Sequence, residues 1–201
     1  MAQNFIYLAS QSPRRRQLLE QLGVAHELLL PGPEEDAESI EAVLPGEAPA
    51  AYVERVTGLK LDAAVARRAA RGLPDAPILC SDTTVALGRT IYGKPGSAQD
   101  AARMLAELSG REHRVLTAVA LQAGAKRLTA LSVSRVRFAP MTAAQVGAYV
   151  ASGEPMGKAG AYGIQGPAAQ YVENLNGSYT GIMGLPLYET ARLLRAAGVL
   201  R

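Results

Sequence analysis

The sequence of 201 residues has few of the side chains that build covalent cross-links or soft-metal sites. Cys80 is its only cysteine, so an internal disulfide and a cysteine-rich metal site are both excluded. Because only His26 and His113 are present, a multi-histidine zinc centre is not indicated either. Any metal bound by this chain should therefore be a hard cation held by carboxylate oxygens.

Long apolar runs and a strong charge imbalance are also absent. No run reaches the roughly 18–20 apolar residues that cross a bilayer, and the first residues lack the pattern of a signal peptide. We therefore expect a cytoplasmic protein with no membrane partner. The net charge of +3 is too mild to indicate a nucleic-acid partner, and no basic stripe with interleaved aromatic residues is present.

The residues that are present predict an α/β protein. Hydrophobic residues make up 48% of the chain, which is enough for a sizeable core. Short apolar runs alternate with helical segments, among them an alanine-rich helix expected over 49–71. Two strand-like runs, 113–122 and 127–138, then form a hairpin. A helix, a glycine-rich region over 153–185 and a final helix over 186–198 follow, and this order predicts a mixed sheet.

The start of the chain is the most distinctive segment. An apolar run over 5–9 leads into Ser12, a good helix N-cap, and Pro13, which suits the first helical position. The arginines 14–16 then lie on the first turn, where cations oppose the helix dipole at roughly a few tenths of a kcal/mol each. A bound polyanion would remove this conflict, and a solvated basic turn is the alternative.

A carboxylate interrupts the apolar strand expected over 77–87. Asp82 costs free energy there unless it is paired or bound to a metal, which makes it the leading catalytic candidate. A strand-end aspartate that caps a turn is the alternative. Glu34 and Glu35, in a loop, could join Asp82 around Mg²⁺, although a solvated acidic loop would also explain them.

Two further polar side chains stand beside glycines. Lys94 follows Gly93, which allows close approach of the backbone to a ligand. Gln165 precedes Gly166, and its amide could read a donor and an acceptor on a base edge, or could simply stabilise the loop. Neither a P-loop lysine motif nor a serine nucleophile elbow is present. The remaining carboxylates and cations suit metal-assisted attack on a phosphate.

Taken together, these segments resemble the Maf family of nucleoside triphosphate pyrophosphatases. Each matching segment is weak alone, but the ordered set is specific and spans nearly the whole chain. The segments are LASQSPRR at 8–15, SDTTV at 81–85, GKP at 93–95, LSGREH at 108–113, KAGAYGIQG at 158–166, GSY at 177–179 and GLPL at 184–187.

The resemblance implies a two-lobed, ITPase-like α/β fold over 1–201 as one domain, with a central mixed sheet flanked by helices and a cleft between the lobes. Such proteins are often homodimers. The implied reaction is hydrolysis of a nucleoside triphosphate to the monophosphate and pyrophosphate with Mg²⁺ or Mn²⁺. Asp82 matches the proton acceptor, and Asp82 and Glu35 match the metal-binding carboxylates. The positions that match triphosphate-binding residues are Ser12, Arg15, Lys60 and Lys94.

Three positions resemble the members that act on dTTP and UTP, namely Arg14, Thr83 and Gln165. Members that act on 7-methyl-GTP carry tryptophan, glutamine and glutamate there. The chain has no tryptophan at all, which removes the obvious stacking partner for a cationic purine. One departure from the family pattern is Gly157, since many relatives place an acidic residue before Lys158.

Two alternative functions stay open at this point. The first is the same chemistry on another nucleotide, such as 7-methyl-GTP. The second is a regulatory protein that binds a nucleotide or nucleic acid, because the family has been linked to septum formation. The enzyme interpretation explains more of the residues, since a pure binder needs no base beside a metal.

Overall fold

The computed structural model describes residues 5–33, 35 and 39–200. Within this part of the chain the helices are α1 (Pro13–Gln21), α2 (Pro49–Ala70), α3 (Ala98–Leu108), α4 (Ala143–Ala151), α5 (Tyr179–Met183) and α6 (Leu187–Ala196). The strands are β1 (Ile6–Leu8), β2 (His26–Leu28), β3 (Ile78–Leu87), β4 (Thr90–Tyr92), β5 (Glu112–Ala123), β6 (Lys126–Phe138) and β7 (Val172–Asn176). Short 3₁₀ segments cover Ser39–Glu41, Ala159–Ala161 and Pro167–Tyr171.

All seven strands form one mixed sheet in the order β2-β1-β3-β5-β6-β7, and β4 pairs with β3. The strand β1 runs parallel to both β2 and β3, and the other pairs are antiparallel. The β5–β6 pair is the predicted hairpin, and its register runs from Glu112 opposite Arg137 to Ala123 opposite Lys126. The α/β fold with a central mixed sheet flanked by helices is confirmed.

Side-chain caps fix the beginnings of the helices α1, α3 and α4. Ser12 Oγ accepts a hydrogen bond from the amide of Arg15 at the start of α1, and Ser97 caps α3. Thr142 and Gln145 form the reciprocal capping box of α4. These contacts satisfy amide groups that have no partner within the helix. The cap at Ser12 is the one expected from the sequence.

Two elements do not follow from the sequence pattern. The strand β2 is short, polar and partly exposed, and it forms because its backbone pairs with β1, with Ile6 opposite His26. The helix α5 has five residues, too few for a periodic pattern. It begins at the cap Ser178 and ends at Gly184, whose φ of 115° favours glycine.

The sheet is covered on both faces. Alternate residues of a strand face opposite sides, so Ile78, Cys80 and Ala120 pack against α2. Leu79 and Val119 pack into the larger core on the other face, with residues of α1, α3, α4 and α6. A charged side chain on β3, such as Asp82, therefore needs a partner from one of the two helical layers.

His113 lies in the larger core, where its Nε2 atom is 2.8 Å from the Tyr162 hydroxyl and its ring meets Phe138 edge-on. Burial lowers the pKa of His113 from 6.5 to about 4. The imidazole is therefore neutral in the folded protein at pH values at which the unfolded chain already takes up a proton. No sequence motif indicates a catalytic role for His113, and its contacts belong to the packing of the core.

We expect the stability to depend on pH through His113. Above pH 6.5 its contribution is complete, and it is lost as the pH falls towards the folded-state pKa of about 4, because the unfolded state binds the proton first. Between about pH 7 and about pH 5 the free energy of unfolding should fall by about 1–2 kcal/mol. Urea unfolding at both pH values measures this. In His113→Gln the free energy of unfolding should change less between the two pH values, even if this variant is less stable at both. In the control His26→Gln the change should be the same as in the unaltered protein. An unchanged slope in His113→Gln would contradict the assignment.

Candidate active site

A cleft of about 980 Å³ lies where β1 leads into α1, beside the middle of β3. Its walls come from α1, α2, β3, the segment around Lys94 and the glycine-rich segment 157–166. All nine site residues predicted from the sequence line this cleft. They are Ser12, Arg14, Arg15, Glu35, Lys60, Asp82, Thr83, Lys94 and Gln165.

Asp82 lies on the face of β3 that is covered by α2. It is 8% exposed, and its backbone is in register with Ala118 of β5. Asp82 Oδ1 accepts a hydrogen bond of 2.6 Å from Lys60 Nζ on α2. The alternation of β3 thus turns the carboxylate towards the helix that carries its cation, and the pairing of a buried charge expected from the sequence is met by Lys60.

Glu41 is a site residue that the sequence analysis missed. Its Oε1 atom accepts a 2.6 Å hydrogen bond from Lys60 Nζ, and its Oε2 atom lies 3.1 Å from Lys94 Nζ. Burial acts to raise the pKa of Glu41, but the two ammonium groups outweigh it and the pKa is lowered. The partners lie 19 and 53 positions away along the chain, so no local pattern could have indicated them.

The Arg15 side chain lies on the face of β3 opposite to Asp82. Its guanidinium donates to the Gly184 carbonyl at 2.8 Å, to Ser10 Oγ at 3.2 Å and to Thr83 Oγ1 at 3.3 Å. Ser81 Oγ donates to the same Gly184 carbonyl at 3.0 Å. Arg15 therefore ties α1 to β3 and to the end of α5, and Thr83 is fixed by this contact. The five N–H donors of an arginine leave part of the guanidinium for a ligand.

Arg14, the neighbouring specificity candidate, donates from Nε to the Met183 carbonyl at 3.4 Å. Arg14 and Arg15 are thus both directed towards the segment 183–184. Ser12, predicted to face the triphosphate, caps α1 through its hydroxyl in this structure. Its location at the N-terminus of a nine-residue helix keeps it beside the free amide groups that attract anions.

Glu35 lies in the wall of the cleft, but its partner is Arg67 and not Asp82. Arg67 Nη2 is 2.6 Å from Glu35 Oε2, and Arg67 Nε is 2.8 Å from Glu35 Oε1. These hydrogen bonds, together with one from the Gly32 amide, lower the pKa of Glu35 to about 2. Glu35 is therefore an ionised carboxylate at the cleft that is already engaged by a buried arginine. Glu34, the other acidic candidate of this loop, lies outside the described residues.

Gln165 is exposed and lines the cleft. It lies between Gly163 and Gly166. A Cβ atom on Gly166 would lie 2.1 Å from Glu154 Oε1, and one on Gly163 would lie 2.6 Å from it. The Glu154 carboxylate occupies that space, and burial together with this carboxylate raises the pKa of Tyr149. The glycines thus make room for a second carboxylate that the sequence analysis did not single out.

Glu154 also affects the charge around Lys158, where Gly157 departs from the family pattern. The ammonium group of Lys158 donates to the backbone carbonyl of Glu154. Burial lowers the pKa of Lys158, and the charge of Glu154 acts in the opposite direction. Glu154, four residues upstream, therefore places negative charge near Lys158, but its hydrogen bond to the ammonium group is made by the backbone carbonyl. Gly157 is exposed with open space around it.

The carboxylates of the cleft offer only oxygen donors, which are the ligands that Mg²⁺ and Mn²⁺ prefer. Among residues 5–33, 35 and 39–200, no three Asp, Glu, His or Cys side chains form a group that could hold a metal ion alone. The donor chemistry of Asp82 and Glu35 fits a hard cation, provided that phosphate oxygens of a ligand supply further positions. The described helices include none that is long and apolar enough to span a membrane.

The fold and the cleft together define an α/β protein whose buried aspartate is paired with a lysine in a cleft that further cationic side chains line. The family model described as Maf-like protein matches residues 5–197, so the chain belongs to this family. The resemblance drawn from the sequence is thereby confirmed.

Relatives match the chain over almost its whole length. A dTTP/UTP pyrophosphatase of Polaromonas sp. is 68% identical over 98% of this chain and 98% of its own. Proteins of the same name from Albidiferax ferrireducens and Cupriavidus metallidurans are 66% and 65% identical, over 96% and 98% of this chain and 97% and 98% of their own. Among solved structures, the Staphylococcus aureus Ham1 protein is 14% identical with a TM-score of 0.44, over 66% of this chain and 71% of that one.

We expect Gly166→Ala to destabilise the protein through Glu154. The backbone at Gly166, with φ of −102°, accepts alanine, so the cost comes from displacing the carboxylate and should be about 1–2 kcal/mol. Chemical denaturation measures it, and Gly96→Ala, with no atom within 4 Å of the added Cβ, is the matched control. Combining Gly166→Ala with Glu154→Ala should remove most of this penalty. Strictly additive effects would show that the two residues do not interact.

Proposed function

We propose that this protein hydrolyses dTTP and UTP to the nucleoside monophosphate and pyrophosphate, with Mg²⁺ or Mn²⁺ as cofactor. The observation that carries the proposal is the position of Asp82. This buried carboxylate is held by Lys60 in a cleft that also contains Lys94 and Arg15. The relatives named dTTP/UTP pyrophosphatase support the choice of reaction and substrate, since they match nearly the whole chain.

Asp82 is the proposed proton acceptor. It takes a proton from the water that attacks the α-phosphorus, and the bond from that phosphorus to the bridging oxygen then breaks, so that pyrophosphate leaves. The strand pairing of β3 with β5 fixes the backbone of Asp82, and Lys60 fixes its carboxylate. A rigid support of this kind is what a base needs to stay in reach of its proton donor.

Positive charge for the triphosphate comes from several elements. Lys60, Lys94 and Arg15 are proposed to neutralise the negative charge that increases on the leaving pyrophosphate. Ser12 is proposed to act with them, because it lies at the N-terminus of α1, where the helix dipole and the amides that it does not cap attract an anion. Phosphoryl transfer depends mainly on such positioning and charge stabilisation, which suits a site without a covalent nucleophile.

Asp82 and Glu35 are the residues proposed to hold the divalent cation, which would supply positive charge against the triphosphate. Glu35 is ionised, as a ligand must be. Its hydrogen bonds to Arg67 orient the carboxylate along the cleft wall. The same arginine also competes for the oxygen atoms, so Glu35 would have to share them between Arg67 and the cation.

Selection of the pyrimidine is assigned to Arg14, Thr83 and Gln165. Uracil and thymine present an N3–H donor between two carbonyl acceptors, and the Gln165 amide can match a donor and an acceptor together. The exposed Gln165 side chain is available for this contact, whereas Thr83 is fixed by Arg15. A homodimer, a two-lobed single domain over 1–201 and a cytoplasmic location stay predictions that follow from the family resemblance.

The proposed function is tested by pyrophosphate release from a panel of nucleotides with and without Mg²⁺. We expect dTTP and UTP to be turned over faster than CTP, dATP, GTP and 7-methyl-GTP, and only in the presence of the cation. A preference for 7-methyl-GTP would support the alternative substrate. Tight nucleotide binding without any turnover would support the regulatory alternative.

Asp82→Asn should abolish pyrophosphate release in the same panel, because asparagine cannot accept the proton. The substitution preserves the shape of the side chain, so an unchanged circular dichroism spectrum and thermal transition would show that the fold is intact. Near-normal turnover by this variant would refute the role of Asp82 as base.

Gln165→Glu should lower the turnover of dTTP and UTP more than that of the other nucleotides. A carboxylate cannot donate a hydrogen bond to O4 of uracil or thymine, and its charge is repelled by that carbonyl oxygen. The ratio of kcat/KM values between nucleotides measures the effect. Equal losses for every nucleotide would show that Gln165 does not read the base.

A further inference from the structure

Glu41 occupies the cations that a triphosphate would need. Its two oxygen atoms receive hydrogen bonds from both Lys60 and Lys94, at 2.6 Å and 3.1 Å. A carboxylate between two ammonium groups interacts with them as a pair of phosphate oxygens would, because both are negatively charged and both accept charge-assisted hydrogen bonds. The position assigned to the substrate's phosphates thus already contains an anionic side chain of the protein itself.

The backbone around Glu41 is held against α2 by side chains of that helix. The Tyr52 hydroxyl donates to the Glu41 carbonyl at 3.0 Å, and Arg55 Nη2 donates to the Ala42 carbonyl at 2.8 Å. Arg55 also pairs with Glu47, on the same segment, at 2.6 Å. These contacts keep the Glu41 carboxylate at a high effective concentration beside the two lysines.

We infer that Glu41 is an internal competitor of the triphosphate. In the free protein it holds Lys60 and Lys94 together in the cleft, and an incoming polyphosphate displaces its side chain from both ammonium groups. This inference rests on the proposed function, since it takes the two lysines to be phosphate-binding residues. Glu41 differs in this respect from Glu35, whose partner is the guanidinium of Arg67.

Binding of inorganic tripolyphosphate, measured by calorimetry without divalent cations, tests the inference apart from hydrolysis. Glu41→Gln should bind tripolyphosphate about threefold to tenfold more tightly than the unaltered protein, because two partly exposed ion pairs no longer oppose binding. Tyr52→Phe keeps the charge of Glu41 but removes one anchor of its backbone. Tyr52→Phe should therefore also increase the affinity for tripolyphosphate, but by less than Glu41→Gln does.

Glu173→Gln is the matched control for net charge. Glu173 is an exposed residue of β7 whose partner is Arg137 on β6, so this variant loses the same charge away from the cleft. Its affinity for tripolyphosphate should change by less than about twofold, because solvent and salt screen distant surface charges. An equal gain in Glu41→Gln and Glu173→Gln would show a general charge effect and overturn the inference.

Three other outcomes would also overturn it. Unchanged or weaker tripolyphosphate binding by Glu41→Gln would show that Glu41 does not compete for the lysines. Weaker binding of Mn²⁺ by the same variant in electron paramagnetic resonance, without any gain for tripolyphosphate, would assign Glu41 to the metal instead. No binding of tripolyphosphate by either protein would remove the lysines as a phosphate site and would count against the proposed function as well.

Discussion

The ion pair between Lys60 and Asp82 is the interaction on which the rest of the site depends. Asp82 is buried on β3, and an unpaired carboxylate at that position would carry a large desolvation cost. Lys60 meets this requirement from α2, the helix that covers the same face of the sheet. The pair therefore links the sheet to the helical layer at the point where the chemistry is proposed to occur, and it fixes the orientation of both side chains.

The alternation of β3 divides the site between the two faces of the sheet. Asp82 faces α2, and Ser81 and Thr83 face the other layer, where they meet Gly184 and Arg15. The cleft therefore has the Asp82–Lys60 pair on one side, and on the other side a set of hydrogen bonds that includes the Arg15 guanidinium. Because β3 is paired with β1, β4 and β5, its backbone is fixed, and residues 81–83 keep their orientation towards the two faces.

The two carboxylates Glu35 and Glu41 are paired with cations that differ in their exposure to solvent. Glu35 is held by a buried guanidinium through several hydrogen bonds, and Glu41 is held by two lysines that are at least partly exposed. Lys60 and Lys94 are more exposed than Arg67, whereas the two carboxylates are about equally exposed, so a ligand can reach the cations of Glu41 more easily than the cation of Glu35. This contrast explains why we infer that Glu41 gives way to a polyphosphate, whereas Arg67 keeps Glu35 in the cleft wall.

The sequence by itself determined the α/β class, the capped start of α1 and the hairpin, because strand alternation and helix caps are local signals. The nine predicted site residues, all of which line the cleft, came from the ordered motifs and the family resemblance. Only the tertiary structure decided which charges pair. The partners of Glu35 and Glu41, and the space left by Gly166 for Glu154, depend on side chains far apart in the chain or on the path of a loop. Such pairings are selected by packing and desolvation in the folded protein, and no periodic pattern records them.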